Sequence, residues 1–337
     1  MEPTLIYIIY FGILLLLGLI SSIISRKLKI PNLILLIGIG MVFGYLRYDG
    51  KQIIQFSPIF LTSIAIITLS MIVFDSSSKF RFKKFDSSTT SAFKLASIFL
   101  ILNTLVLSFL TNYLFDVSSV FLAVAFAAVV SGTDPSATLM ILSGAKTKLF
   151  ELLKVEAVLN TPLIVLIPFL LIDIMQEAAQ TTAFSILSSQ ALPFAQQFVA
   201  GIGTGFLVAF IFFRFMKKYY SATLSPLAVI TAALLTYALS EALGGNGVLA
   251  VTTAGLVFGN LYHIKHKRKL QNFTEVFSEL LEIIVFILIG SMIKISWSLD
   301  FIIPASVLFL AYLFIRFITV STLFFKDFDI KEKIYLT

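Results

Sequence analysis

Three ionisable side chains interrupt stretches of sequence that are otherwise apolar: Asp134, Glu156 and Arg316. Asp134 lies within the octet SGTDPSAT (131–138), where a carboxylate stands beside a proline and several hydroxyl groups. Inside a membrane an ionised side chain costs about 2.5–3.5 kcal/mol or more, so such groups are rarely left unpaired. The three residues are therefore candidates for binding an ion or for forming a buried ion pair.

The octet is typical of a broken membrane helix. Pro135 removes a backbone donor and clashes with the preceding turn, and Gly132 loosens the helix further. A break at mid-membrane exposes carbonyl oxygens and half-helix dipoles that suit a small cation, with Thr133 and Asp134 beside them. The alternative is a kinked helix whose Asp134 pairs with a neighbouring residue, and the octet alone does not favour either interpretation.

A second interrupted helix follows the octet. In KVEAVLNTPLIVLIPFLLID (154–173), Glu156 and Asn160 are spaced i and i+4 and share one helical face, and Pro162 comes directly after Thr161. The side-chain oxygens of Asn160 and Thr161 are neutral ligands of the kind that a cation needs once it has shed water. The segment is therefore predicted to contribute to the same ion site.

Arg316 is a basic residue deep within a predicted helix. An ion pair with Glu156 or with Asp134 would relieve the cost of burying both charges. A structural pair between Arg316 and Glu156 is the favoured interpretation. The pair with Asp134 is the alternative that the sequence leaves open.

Composition places these residues in an all-α polytopic membrane protein. The chain of 337 residues is 58% hydrophobic and 13% charged, whereas soluble domains contain about a quarter charged residues. Its apolar residues form runs of about 18–25, the length that crosses a hydrocarbon core of about 30 Å. About eleven transmembrane helices are predicted. They cover residues 4–24, 31–47, 56–75, 90–114, 118–143, 150–174, 191–215, 223–243, 247–262, 276–293 and 302–325.

The net charge of +7 reflects orientation in the membrane rather than nucleic-acid binding. Lysine and arginine cluster after the odd-numbered predicted helices, as at 26–29, 79–84 and 265–269. The positive-inside rule then places the N-terminus outside and the C-terminus in the cytoplasm of a multi-pass cell-membrane protein. The partner that this basic excess predicts is anionic membrane lipid.

Several kinds of chemistry are excluded by residue types. The chain has no cysteine, so disulfides, thiolate metal sites and thiol redox chemistry are excluded. Its two histidines lie close together in one basic loop (263–266), and no serine–histidine pair or phosphate-binding loop accompanies them. The sequence therefore predicts no enzymatic activity and no cofactor.

Two stretches predict an internal repeat: PNLILLIGIGMVFGY (31–45) and NGVLAVTTAGLVFGN (246–260) share the pattern G-x-V-F-G. Because the first predicted helix runs outward and the second inward, the repeats are expected to be inverted, as in secondary transporters. The predicted division is a first repeat at 1–190 with the ion-site helices, a linker helix at 191–222 and an incomplete second repeat at 223–337. Helices 1–6 of the first repeat correspond to helices 8–13, so the repeat predicts a fold that lacks its last two helices. The chain would then be a fragment, a split gene product or a degenerate protein.

These features resemble the monovalent cation/proton antiporters of the sodium/proton exchanger superfamily, and most closely the archaeal NhaP-like branch. The matching residues are the TDP at 133–135, Glu156 with Asn160, Arg316, and the VFD at 73–75 before a basic stretch. The resemblance implies an ion site at Asp134, Thr133 and Asn160. It also implies a Glu156–Arg316 pair that braces the core, and a homodimer.

Thr161 departs from the family pattern, because the family has there an aspartate that carries the cation or proton. A threonine cannot titrate, although its oxygen can ligate a cation, so Asp134 becomes the nearest titratable candidate. The predicted function is exchange of Na⁺, or of K⁺, for protons by alternating access, with the cation bound at Asp134. The alternative is a degenerate or split-gene member, a subunit or scaffold without transport of its own, for which a separate chain supplies the last two helices.

Overall fold

The computed structural model of the chain is helical, apart from one pair of two-residue strands in its described part. The described residues are 3–28, 30–48, 51–52, 56–80, 87–133, 183–261, 266–295 and 298–337, with single positions at 149, 152, 153, 155–157, 160, 164, 167, 168 and 171.

The helices are named in chain order over the described residues. They are α1 (Pro3–Leu28), α2 (Asn32–Tyr45), α3 (Pro58–Lys79), α4 (Ser87–Phe115), α5 (Val120–Val130), α6 (Ala183–Lys218), α7 (Leu224–Ala242), α8 (Gly247–Asn260), α9 (Lys267–Met292), α10 (Leu299–Leu323) and α11 (Ile330–Leu336). Between α2 and α3, strands β1 (Arg47–Tyr48) and β2 (Lys51–Gln52) pair antiparallel.

Several helices begin at side chains that cap their first turn. The Ser57 hydroxyl accepts a hydrogen bond from a backbone N–H of α3, and the Asn246 side chain does the same for α8. At α11, Asp329 and Glu332 form a reciprocal capping box. These side chains satisfy backbone N–H groups that the first helical turn leaves without partners.

One packing group contains α1, α2, α3 and α6 to α9. Phe74 of α3, Phe213 of α6 and Phe258 of α8 meet within it, with ring centroids 4.8 to 6.3 Å apart. Helix α2 crosses α9 where Gly40 faces Gly290, and a methyl group on either glycine would collide with the backbone of the partner helix. Such small residues allow close backbone contact between membrane helices, where van der Waals packing drives association.

A second packing group contains α4, α5, α10 and α11. Phe99 and Leu107 of α4 pack with Ala127 of α5 and Ile315 of α10. Leu152, from the segment described at single positions, packs in a neighbouring cluster between α4 and α11. This second group carries the described residues of the predicted ion site. Each packing group contains helices from both predicted repeats. The packing groups therefore do not correspond to the repeats, and the division into repeats stays a prediction.

The all-α polytopic membrane fold predicted from the sequence is confirmed. Within the described part of the chain, six helices contain segments long and apolar enough to cross a membrane: α1, α3, α4, α6, α7 and α10. Helices α2, α5 and α8 are shorter apolar helices. Leu105 and Phe109 of α4 are 64% and 71% exposed, as expected for side chains that face lipid rather than water.

Helix α5 is shorter than the predicted span of 118–143. It ends at Val130, and Ser131 forms a turn before Gly132 and Thr133 continue without helical structure. The rest of that span, from 134 onward, lies outside the described residues. The helix therefore ends next to the glycine that was expected to loosen it.

Two helices begin well before their predicted spans. Helix α6 begins at Ala183 rather than at 191, and α9 begins at Lys267 rather than at 276. The added residues are more polar than the apolar runs, so a hydropathy pattern does not detect them. In α9 the buried Gln271 Nε2 donates to the carbonyl oxygen of Ser78 at 2.8 Å, a tertiary contact that supports the added turns. The short α11 and the two strands were not predicted either.

Candidate ion site

Hydrogen bonds from backbone N–H groups and from one hydroxyl group stabilise the C-terminal end of α5. The Ser131 N–H donates to the carbonyl oxygens of Ala127 and Ala128, and the Gly132 N–H donates to that of Val129. The Ser131 hydroxyl also donates to the Ala127 carbonyl oxygen, at 2.7 Å. A side chain on Gly132 would come within 2.8 Å of Ile164, so the glycine permits close packing against the segment that follows.

Two asparagine amides converge on Ser131. Asn160 Nδ2 donates to the Ser131 carbonyl oxygen at 3.1 Å. From α4, Asn103 Nδ2 donates to the Ser131 hydroxyl oxygen at 2.8 Å. All three residues are completely or almost completely buried. We call Asn103, Ser131, Thr133 and Asn160 the Ser131 cluster.

Three oxygens of the Ser131 cluster are buried and accept no hydrogen bond from the described residues: Asn103 Oδ1, Asn160 Oδ1 and Thr133 Oγ1. A buried polar group without a partner costs about 1–3 kcal/mol. In native proteins such groups mark strain, function, or a bound water or ion. The cluster therefore has unused capacity to ligate a cation or to receive hydrogen bonds.

A fully buried ion pair joins the same segment to α10. Arg316 Nη1 and Nη2 lie 2.5 and 2.7 Å from the two carboxylate oxygens of Glu156, a bidentate arrangement. Glu156 is 0% and Arg316 2% exposed. Arg316 Nε donates to the Leu336 carbonyl oxygen of α11 at 3.0 Å, and the guanidinium carbon lies 4.7 Å from the ring centre of Phe99.

This arrangement neutralises both charges within the protein. Bidentate contact and a further carbonyl acceptor satisfy the guanidinium, and the aromatic face adds a cation–π contact. The structure thus shows the pair of Arg316 with Glu156, which was the favoured sequence interpretation. Glu156 precedes Asn160 by one helical turn, so the pair holds the segment that reaches the Ser131 cluster.

A further polar cluster connects α3 with α9. Lys79 Nζ lies 2.8 Å from a carboxylate oxygen of Asp75 and 3.3 Å from one of Glu275. The other Asp75 oxygen accepts a hydrogen bond from the Thr274 hydroxyl at 2.9 Å. Asp75, the last residue of the VFD motif, is therefore engaged in a contact between helices.

The described residues bring together five of the predicted site residues. Gly132, Thr133 and Asn160 lie at the end of α5, and Glu156 and Arg316 form the ion pair. The remaining predicted site residues lie outside the described residues: Asp134, Pro135, Thr161 and Pro162.

Sequence reasoning missed Asn103 and the carbonyl group of Leu336. Asn103 interrupts the apolar run IFLILNTLVLSF (98–109) of α4. Polar side chains within membrane helices commonly hydrogen-bond to a neighbouring helix, so this asparagine was a detectable signal that a search for ionisable residues passed over. A backbone carbonyl such as that of Leu336 has no signature in the sequence, because every residue carries one.

Fold and site define a multi-pass helical membrane protein with an oxygen-rich buried cluster at the end of a short helix. The chain belongs to the family described as "Sodium/hydrogen exchanger, transmembrane", whose model matches residues 12–337. The family resemblance read from the TDP and Glu156–Asn160 motifs is thereby confirmed.

Curated relatives include both sodium and potassium antiporters. The K(+)/H(+) antiporter NhaP2 of Shewanella baltica is 25% identical over 319 residues, covering 93% of this chain and 54% of the relative. The Na(+)/H(+) antiporter NhaH of Halobacillus aidingensis is 26% identical over 305 residues, covering 85% of this chain and 74% of the relative. The chain thus spans about half the length of the NhaP2 relatives that it matches.

A solved structure shares the fold. The sodium proton antiporter MjNhaP1 of Methanocaldococcus jannaschii matches with a TM-score of 0.78 at 22% sequence identity. The match covers 100% of this chain and 84% of that chain. At this level of identity the likeness establishes the fold.

Proposed function

We propose that this chain forms the transport core of an antiporter that exchanges a monovalent cation for protons. Na⁺ is the favoured cation, and K⁺ is the alternative. The observation that carries the proposal is the set of three buried oxygens in the Ser131 cluster that have no hydrogen-bond partner among the described residues, next in sequence to Asp134. Membership of the sodium/hydrogen exchanger family supports it. So do the relatives, which are named as K(+)/H(+) or Na(+)/H(+) antiporters.

Asp134 is the acid that the proposal assigns to exchange. Glu156 is neutralised by Arg316, and Thr161 cannot titrate, which leaves Asp134 as the titratable residue of the predicted site. A proton and a cation each neutralise a carboxylate, so the two compete for Asp134. Thr133 and Asn160 supply neutral oxygens to the cation.

Alternating access follows from the cost of a buried charge. An unneutralised Asp134 is expensive to carry through the membrane interior, whereas a protonated or cation-bound Asp134 is not. Loading by either ion therefore permits the ion-binding helices to move against the scaffold and open to the other side. The Glu156–Arg316 pair stays closed during this movement and holds the Asn160 segment in place.

The test is cation-driven proton movement in vesicles that contain the protein. We expect Asp134→Asn to abolish proton release on addition of Na⁺ or K⁺, because asparagine cannot exchange a proton for a cation. Asp116→Asn is the matched control: Asp116 lies between α4 and α5 at a positive φ of 48°, a conformation that asparagine tolerates well. It should exchange like the wild type.

Two results would contradict the proposal. Exchange that survives Asp134→Asn would remove this acid from the mechanism. A wild-type protein that is folded but shows no exchange would favour the second candidate, a subunit or scaffold without transport of its own. Thr161, which stands in place of the family aspartate, is the observation behind that candidate.

A further inference from the structure

We propose that Asn103 of α4 is a further residue of the cation site, which presents its amide oxygen to the ion and sets the affinity for it. The inference rests on the proposed function for the identity of the ion. It is carried by the hydrogen bonds of the Ser131 cluster, in which the orientation of the Asn103 amide is determined.

The orientation follows from the direction of the hydrogen bonds. A hydroxyl group has one proton, and that of Ser131 is donated to the Ala127 carbonyl oxygen. Towards Asn103 the Ser131 hydroxyl can therefore only accept, so the amide nitrogen of Asn103 faces Ser131, at 2.8 Å. The amide oxygen is directed elsewhere, and no described residue donates to it.

Asn160 is oriented in the same sense. Its amide nitrogen donates to the Ser131 carbonyl oxygen, and its own oxygen is likewise buried without a donor from the described residues. Two amide dipoles thus have their positive ends on Ser131, and their negative ends have no donor in the part of the chain that the structure describes. The C-terminus of α5, which ends directly before Ser131, adds the negative end of a helix dipole.

This combination of partial charges favours a cation over an anion. Fixed carbonyl-type oxygens replace the water that a monovalent cation loses on entering a protein. An anion would be repelled by the same oxygens. Because Thr161 adds no negative charge, neutral oxygens such as that of Asn103 carry more of the binding than they would in a site with two carboxylates.

Two substitutions at Asn103 and one matched control test the inference in reconstituted protein. Asn103→Leu removes the oxygen and should raise the half-saturating Na⁺ and K⁺ concentrations of exchange about tenfold, equivalent to about 1.4 kcal/mol. Asn103→Asp places a carboxylate at the same point and should lower these concentrations at alkaline pH. Asn112→Leu, which alters an asparagine of the same helix that donates to the Val117 carbonyl oxygen, should leave them unchanged.

The inference is overturned if both Asn103 variants keep half-saturating concentrations within about twofold of the wild type. A purely structural asparagine would give this result, whereas a ligand changes the affinity. If Asn103→Leu does not fold, the direction of the shift in Asn103→Asp decides the question.

A binding measurement separates this inference from the proposed function. The purified protein is heated in NaCl, in KCl and in choline chloride at equal ionic strength. If the wild type exchanges nothing, the proposed function fails. A thermal stabilisation by Na⁺ or K⁺ that is present in wild type and Asn112→Leu and absent in Asn103→Leu would still support Asn103 as a ligand. The lack of any such stabilisation in a wild type without exchange would overturn the inference as well.

Discussion

At the scale of single residues, Arg316 shows how a charge is kept inside this membrane protein. Its guanidinium meets two carboxylate oxygens of Glu156, one backbone carbonyl oxygen and one aromatic face. No part of this arrangement depends on solvent, since the pair is almost completely buried. The pair therefore stabilises the fold only while both charges are present, and removal of one partner should lower the free energy of unfolding.

We expect Glu156→Gln to lower the free energy of unfolding by about 3–5 kcal/mol, because it leaves the Arg316 charge buried and uncompensated. Unfolding of the detergent-purified protein by heat or denaturant measures the loss. The double variant Glu156→Gln/Arg316→Met should be less destabilised than Glu156→Gln alone, since it removes the orphaned charge together with its partner.

Lys79→Met is the matched control for the buried pair. Lys79 contacts Asp75 and Glu275, but its side chain is 41% exposed, so water screens the interaction. Asp75 itself is only 13% exposed, but the lysine end of the pair is in contact with solvent, so we expect Lys79→Met to cost less than Glu156→Gln, about 1 kcal/mol. Equal stability losses in Glu156→Gln and Lys79→Met would contradict the structural role given to the Glu156–Arg316 pair.

At the scale of helices, the crossing of α2 and α9 depends on the absence of side-chain atoms. Gly40 lies against the backbone of Ile287 and Gly290, so an added Cβ would have to push two helix backbones apart. We expect Gly40→Ala to lower the melting temperature of the purified protein. Backbone contacts cannot be relieved by a rotamer change, and loss of close packing removes the main attraction between membrane helices.

Gly38→Ala is the control on the same helix, because a Cβ at Gly38 meets nothing within 4 Å. Alanine is favoured over glycine within a helix by about 0.5–1 kcal/mol, so Gly38→Ala should be neutral or stabilising. If both alanine variants melt at the same temperature, the close approach of α2 and α9 is not what stabilises this group of helices.

At the scale of the whole molecule, the packing supports the proposed inverted repeat. The repeated pattern lies in α2 and α8, and the helices that follow them in the two halves are α3 and α9. Helix α2 packs on α9 and α8 packs on α3, so each copy lies against the partner of the other. Gly40 and Gly255, equivalent in the repeat, both face backbone atoms of the helix they cross. An exchange of partners of this kind is what the pseudo-two-fold axis of an inverted repeat would produce, and the repeat itself stays a proposal.

The proposed orientation, with the N-terminus outside, can be tested because the chain has no cysteine. Single cysteines at Tyr219 and Leu243, at opposite ends of α7 and 57% and 69% exposed, report the two sides. We expect a membrane-impermeant maleimide to label Leu243→Cys in intact cells and Tyr219→Cys after permeabilisation. The opposite labelling pattern would show that the positive-inside rule gives the wrong orientation for this chain.

The sequence by itself determined the membrane class and the approximate positions of most described helices. It also singled out Asn160, which the structure places at Ser131, whereas the role of Asp134 stays a prediction. Hydropathy, charge and helix-breaking residues act within a few turns of the chain, so a reading along the sequence detects them. The same reading also singled out Glu156 and Arg316, because charges in apolar runs stand out. It failed at the polar extensions of α6 and α9, which local hydropathy does not indicate; in α9 a contact with α3, from Gln271 to the Ser78 carbonyl oxygen, supports the extension.

Tertiary structure alone decided which of these groups meet. Arg316 had two candidate partners in the sequence, and its contact with Glu156, 160 residues away, depends on how α10 packs against the segment that carries the acid. Asn103 contacts Ser131 because α4 packs beside the end of α5, and the spacing of residues within α4 does not reveal that contact. Contacts between distant residues arise from the packing of all the helices together, and for that reason they could not be read from any one stretch of the chain.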